Sequence, residues 1–446
     1  MRIIIAGAGD LGFHLAKLLA FEEQDIILID QDASVLEHAS NHLDVHTIKG
    51  SSTSITILEE ANVSKADLLI AVTSIEETNL TTAIIGKNLG AKRTVARISN
   101  TEFLHHKDKC DLKNLGIDEI ISPESLAARE IKRLLKQSAL TDTFEFEKGM
   151  LSLVGITVDE NSELKDKSLT ETAYLNPDHD FTTVAILRES QTIIPHGDNN
   201  FQLNDHAYFI TEPSGIDRVM SLAGKERIEI KNVMILGGSK VGINTAKQLS
   251  KKYNIKLIEQ DKDKCFTLAD ELTDTMIING DGRDIDLLKE EGIDRMDAVI
   301  AVTGNSETNI ISCLVAKNNG VKKTIAAVEN IDYIHLSQNI GVDTLINKKL
   351  IAANFIFRYI RKGQVLNITS IHGVDAEILE FEVQPDSKIL QHELRNLDFP
   401  RTAIIGGVIR KGVGYTVRGS FNFQPKDRVV VLSKPECIHK VEGFFN

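Results

Sequence analysis

Short uninterrupted apolar runs recur along this chain, each followed by a stretch whose apolar residues fall three or four positions apart. Ile3 to Ala6 and Leu68 to Val72 are such runs. Continuous apolar segments of this length are the pattern of parallel strands covered on both faces. Leu11, Leu15, Leu18 and Leu19 instead mark one face of a helix. The alternation predicts β-α-β-α-β-α-β, an α/β doubly wound parallel sheet.

The pattern occurs twice. Arg2-Ile-Ile-Ile-Ala-Gly7-Ala8-Gly9-Asp10-Leu11-Gly12 leads to an apolar run ending at Asp30, and Asn232-Val-Met-Ile-Leu-Gly237-Gly238-Ser239-Lys240-Val241-Gly242 leads to one ending at Glu259. Asp67 to Asn79 matches Asp297 to Asn309, including Ala-Val-Thr and a later Glu-Thr-Asn. Lys92 to Arg97 matches Lys322 to Ala327. The offset stays near 230 residues, so one module is used twice.

The first glycine of such a loop permits the tight strand-to-helix turn. The second lets the backbone approach phosphate, and the third lets the helix pack close to the sheet. A diphosphate then meets free N–H groups at the helix N-terminus. Gly7, Gly9 and Gly12 fill all three roles. Asp30, 23 positions after Gly7, is placed for the hydroxyls of an adenosine ribose and disfavours a 2′-phosphate.

The second copy differs. Ser239 replaces the middle glycine, with a hydroxyl able to donate to phosphate, and Lys240 stands where Asp10 stands in the first. Glu259 can make the ribose contacts of Asp30. The two sites are therefore expected to differ in ligand preference or affinity. Thr73-Ser74 and Thr303-Gly304 end the fourth strand of each copy, where ligands of open α/β sheets bind. Arg97 ends the next strand; its counterpart is Ala327. The residues alone leave structural roles open for each: turns for the glycines, strand-end acids for Asp30 and Glu259, helix caps for Thr73 and Thr303, an ion pair for Arg97.

Ser122-Pro123-Glu124 is a helix start, and Asn347 holds the same cap position in the second copy. Beyond each helix, residues of about 140–224 and 370–446 turn to short β-like runs and turns. Ile194 to Asp205 matches Thr416 to Asp427. The expected division is a nucleotide-binding lobe at 1–138, a small α+β domain at 139–225, a second lobe at 231–364 and a second small domain at 365–446. The charged stretch Lys225 to Lys231 is the expected linker.

The 446 residues are too many for one core, and the net charge of -13 argues against a phosphate-backbone or anionic-lipid partner. Cys110, Cys265, Cys313 and Cys437 are scattered without a CxxC pair, which fits a reducing compartment and no structural zinc. The N-terminal apolar run is broken by Asp10, His14 and Lys17, unlike a signal peptide. No run approaches the length of a membrane span. The histidines, His105 and His106 among them, read as surface residues without metal-ligand spacing. His179, His196, His206, His372 and His392 lie in the small domains. None has a counterpart in the matching domain, which weakens the reading as an NAD-dependent oxidoreductase.

Glycine loops, strand-end acids, Ala-Val-Thr with Glu-Thr-Asn, and a small β-rich domain after each lobe resemble the RCK family (KTN plus TrkA-C domains) over essentially the whole chain. The resemblance implies two tandem Rossmann-like sheets, each followed by a small α+β domain. It implies binding of NAD(H), and also ATP or ADP, without turnover. It further implies a homo-oligomeric ring, a tetramer for two-copy chains, on the cytosolic face of a TrkH-like membrane potassium-channel subunit. The nucleotide contacts so implied are Gly7 to Leu11, Asp30, Thr73, Ser74 and Arg97, then Gly237 to Val241, Glu259, Thr303 and Gly304. The helices after Ser122 and Asn347 would pair neighbouring lobes. A regulator of another cation channel or of an antiporter fits the same pattern.

Overall fold

The computed structural model describes residues 1–20, 24–100, 102–105, 111–136, 143–189, 191–224, 229–330, 341–360, 365–370 and 374–445. Cys110, His106, His372 and linker residues 225–228 lie outside them. The chain condenses into two units that regroup its order. One unit combines Met1–Lys132 with Lys231–Ile360, and the other combines Arg133–Ile230 with Arg361–Asn446.

In the first unit, β1 (Arg2–Ala6), β2 (Asp25–Asp30), β3 (His46–Lys49), β4 (Leu68–Ala71), β5 (Thr94–Arg97) and β6 (Glu119–Ile121) form a sheet of order β3-β2-β1-β4-β5-β6. All neighbours are parallel. This is the doubly wound order, with its switch point between β1 and β4. Ile3, Ile4 and Ile5 of the central β1 are fully buried, as are Leu68 to Ala71 of β4. Each such isoleucine contributes about 1.5–3 kcal/mol of burial, which explains the unbroken apolar runs.

The second unit contains β7 (Thr143–Phe146), β8 (Leu151–Thr157), β9 (Phe181–Arg188), β10 (Gln191–Ile193) and β11 (His206–Thr211) in the order β10-β9-β11-β8-β7. The pairs are antiparallel. Returning to the first unit, β12 (Asn232–Leu236), β13 (Asn254–Glu259), β14 (Thr275–Asn279), β15 (Ala298–Ala301), β16 (Lys323–Ala327) and β17 (Thr344–Ile346) repeat the parallel sheet as β14-β13-β12-β15-β16-β17. The last strands are β18 (Val365–Ser370), β19 (Glu377–Glu382), β20 (Ala403–Arg410), β21 (Val413–Tyr415) and β22 (Arg428–Ser433). They form β18-β19-β22-β20-β21, the same order as the other small sheet.

The two small sheets share one core. Phe146, Leu153, Val184 and Ile210 pack in a single cluster with Val374, Ile378, Ile409 and Leu432. A Cβ at Gly406 would stand 2.4 Å from Ile210, so this close approach requires glycine. The repeated small-domain segment has a physical reason. Asp205, 1% exposed, accepts both Nε and an Nη of Arg188 at 2.8 Å and the N–H of Gln202. Asp427 does the same for Arg410 and Gln424. Each arginine also ties in a loop carbonyl, Asn200 or Asn422.

The two lobes of the first unit exchange helices. The helix Lys348–Ile360 of the second lobe packs on the helix Asp10–Ala20 of the first. Arg93 of the first lobe lies over the ring of Tyr359 of the second, 5.5 Å from its centre. Ser122 caps the helix Pro123–Lys136 through the N–H of Ser125, and Asn347 caps its counterpart through Lys349 and Leu350.

Candidate functional site

Both glycine loops are built alike. Gly7 has φ +105° and Gly237 φ +104°, and a Cβ at either would meet the backbone N of Thr73 or Thr303 within 3 Å. A Cβ at Gly12 would stand 1.8 Å from the carbonyl oxygen of Gly7, and one at Gly242 2.1 Å from that of Gly237. A Cβ at Gly9 would meet no atom within 4 Å. The first and third glycines are thus demanded by the fold, while the second faces open space.

The strand-end acids anchor these loops. Asp30 accepts the N–H of Ala8 at 2.7 Å and that of Asp32 at 3.0 Å. Glu259 accepts the N–H groups of Gly238 and Asp261 and the ammonium of Lys264, at 2.9, 3.0 and 2.9 Å. Burial alone would raise the Glu259 carboxyl. The Asp261 N–H, the Lys264 ammonium and the Gly238 N–H outweigh it and hold it below the usual glutamate range.

The hydroxyl of Ser239 is engaged within its own lobe. Its Oγ caps the helix Lys240–Leu249 by accepting the N–H of Gly242 and donates its proton to the carbonyl of Val302 at 2.6 Å. That donor is already committed to the lobe. Thr73 and Thr303 do not cap the following helices through their hydroxyls. Instead each donates to a buried asparagine, Asn79 at 2.7 Å and Asn309 at 2.6 Å, which also accepts the threonine N–H. Asn79 returns two N–H bonds to the carbonyls of Thr73 and Arg97, and Asn309 to those of Thr303 and Ala327. These asparagines lock the ends of the fourth and fifth strands together. The repeated Thr-Asn pair was their signal in the sequence.

A cavity of about 390 Å³ follows the first loop. Gly7, Gly9, Asp10, Leu11, Asp30, Thr73, Ser74 and Arg97 line it, and Lys349 of the second lobe closes one side. Gly50 and Ser52, which stand beside Asp30 in its wall, were not singled out as site residues from the sequence. Ala8 and Gly12, both buried, are not among its lining residues. A smaller cavity of about 190 Å³ follows the second loop, lined by Ser239, Lys240, Val241, Thr303 and Gly304 with Ala327 and Glu329. Glu124 and Ala127 of the first lobe complete it. Gly237, Gly238, Gly242 and Glu259 are not among its lining residues.

The helix exchange places opposite charges at corresponding points. Lys349 stands 2.5 Å from Asp10 and 3.2 Å from Glu329. Burial would lower its ammonium, but these two carboxylates raise it. At the corresponding helix position of the first lobe, Glu124 is 7% exposed and lies 3.9 Å from Arg97. Its second oxygen, buried, accepts no hydrogen bond among the described residues.

The remaining candidate chemistry is structural. Cys265, Cys313 and Cys437 are free and buried, and burial pushes the Cys313 thiol up to about 12. One expectation about histidine needs correction. His38 and His42 stand one turn apart on the helix Ala33–His42, an HxxxH spacing, with ring centres 4.3 Å apart and Phe13 against His38. Among the described residues no group of three or more metal-ligating side chains converges.

Two Rossmann-like lobes, each with a glycine loop and each followed in sequence by a small antiparallel sheet, define a tandem RCK-type protein. The chain belongs to the TrkA family. The TrkA-N domain model matches residues 3–123 and 233–348, and the TrkA-C domain model residues 153–224 and 378–446. Trk system potassium uptake protein TrkA homolog 1 of Methanosarcina mazei is 32% identical over 454 residues, spanning all of both chains. Trk system potassium uptake protein TrkA of Haemophilus influenzae is 32% identical over 452 residues, spanning all of this chain and 98% of that one. In fold, the chain is similar to the GsuK channel bound to NAD, at TM-score 0.61 and 14% identity over all of this chain and 78% of that one. It is also similar to GsuK bound to ADP, at TM-score 0.51 and 14% identity over 81% of this chain and 69% of that one. Among the described residues, no helix is long and apolar enough to cross a membrane.

Proposed function

We propose that this chain is a non-catalytic regulatory subunit of a potassium uptake system, binding NAD(H) and ATP or ADP to control a TrkH-like membrane channel subunit. The observation that carries this reading is the first cleft. An acid at one end suits ribose, open backbone at Gly9 suits a diphosphate, and Arg97 with Lys349 supplies cations for phosphate charge. The Trk potassium uptake proteins among its relatives and the fold likeness to the GsuK channel bound to NAD support it.

In this reading the first site comprises Gly7, Ala8, Gly9, Asp10, Leu11, Gly12, Asp30, Thr73, Ser74 and Arg97. The second comprises Gly237, Gly238, Ser239, Lys240, Val241, Gly242, Glu259, Thr303 and Gly304. The working modules are 1–138, 139–225, 231–364 and 365–446, in a homotetramer peripheral to the inner face of the membrane. A nucleotide that favours one lobe arrangement shifts the population by its differential affinity.

Calorimetric titration of the full chain with NADH, NAD, ATP and ADP tests this. Saturable binding, unchanged NADH absorbance over hours and capture of a potassium-channel subunit are expected. Binding of none of the four, or steady oxidation of NADH, would overturn it.

A further inference from the structure

The two glycine loops are related by the internal repeat, yet their charges are inverted. The first loop carries Asp10 where the second carries Lys240. The helix that reaches the first loop from the other lobe brings Lys349, and the one that reaches the second brings Glu124 at the corresponding position. Each cleft therefore combines an acid and a base drawn from different lobes, in opposite order. Only in the first is the pair a close contact, Lys349 Nζ to Asp10 Oδ2 at 2.5 Å.

Asp10 begins the helix Asp10–Ala20, where a diphosphate would meet the free N–H groups. Two anions at one helix terminus repel each other, so an unpaired Asp10 opposes phosphate. Among the described residues Lys349 is the cation paired with that carboxylate, and it is held by the second lobe: Asn347 caps its helix, and Glu329 takes part of its charge at 3.2 Å.

We propose that Lys349 gates the first cleft in trans. It neutralises Asp10 and donates to the incoming diphosphate, so phosphate binding in the first lobe is strengthened when the second lobe is docked. The proposal rests on the nucleotide reading above and adds its regulation. By linkage, a nucleoside diphosphate in the first cleft tightens the docking of the two lobes, whereas a nucleoside lacking phosphate does not.

The test is calorimetry on the full chain with ADP and with adenosine. The first cleft is identified as the site lost in Gly9→Val. Lys349→Met should weaken ADP there about tenfold, the worth of one charge-assisted hydrogen bond, and leave adenosine unchanged. Asp10→Asn should tighten ADP, and Asp10→Asn with Lys349→Met should return it close to wild type. Lys349→Arg should retain binding. Equal losses for ADP and adenosine in Lys349→Met would mark a packing role and overturn the proposal. So would a double variant no better than Lys349→Met. Failure of the unaltered chain to bind ADP would overturn this proposal, and failure to bind NADH, NAD and ATP as well would overturn the nucleotide reading with it; normal ADP binding in Lys349→Met would overturn this one alone.

Discussion

Asn79 donates its side-chain amide to the carbonyl of Arg97 at 3.0 Å, across the gap between the ends of two adjacent strands. Asn309 does the same to Ala327 at 2.8 Å. Arginine and alanine at the receiving position make no difference, because the bond goes to the backbone. The clamp belongs to the fold of each lobe, and the side chain at the fifth strand end is left free to differ between clefts.

Replacing Asn79 with leucine should therefore destabilise the first lobe. Asn79 is 1% exposed, and the Thr73 N–H and hydroxyl would lose their acceptor. A loss of about 1–3 kcal/mol is expected from the orphaned groups. Denaturant unfolding of the variant against the unaltered chain measures it, and Asn309→Leu should behave alike.

The three glycines of the first loop should separate into two kinds. Gly12→Ala places a Cβ 1.8 Å from the Gly7 oxygen and should lower stability by about 1–3 kcal/mol, the usual cost of overpacking. Gly9→Ser adds atoms to open space, and Ser239 shows that serine caps a helix at this position. Its stability should stay within about 0.5 kcal/mol while nucleotide binding weakens. Thermal melts and titrations on the same samples separate the two effects.

Asp205→Ala should be among the costly changes in the small domains. The carboxylate is 1% exposed and holds Arg188 through two parallel bonds. Removing it leaves a partly buried guanidinium uncompensated, for an expected loss of about 3 kcal/mol. Arg188→Lys should fail to preserve full stability, since an ammonium lacks the planar fork. Equilibrium unfolding reads both.

Glu259 should make the stability of the second lobe depend on pH. Its folded carboxyl lies below the ordinary value of 4.5, so its contribution is fully present above that value. The contribution is lost as pH falls through the lower folded value, where both states bind the proton. The stability difference between the unaltered chain and Glu259→Gln should hold constant from about pH 7 to pH 5 and shrink on further acidification. Unfolding midpoints across that range test the sign.

Much of the architecture was readable because its causes are local. Ile3 to Ala6 and Leu68 to Ala71 are apolar at every position because both faces of a parallel sheet are covered. Gly7 and Gly12 are glycine because a strand-to-helix turn leaves no room for a Cβ. The repeat itself showed that two lobes share one plan. The inward hydrogen bonds of Ser239 and Thr73 were not legible in the sequence, because a hydroxyl can bond inward or outward. The choice was made by the Val302 carbonyl and Asn79, which chain folding brings alongside.

The sequence by itself determined the two parallel sheets, the glycine turns and the paired small domains, since periodicity and steric demand act between near neighbours. Tertiary structure alone decided that lobe joins lobe and small sheet joins small sheet, against the order of the chain. It alone brought Lys349 to Asp10, 339 positions away. No local pattern encodes that pair, because its distance is set by how two helices pack after both lobes have formed.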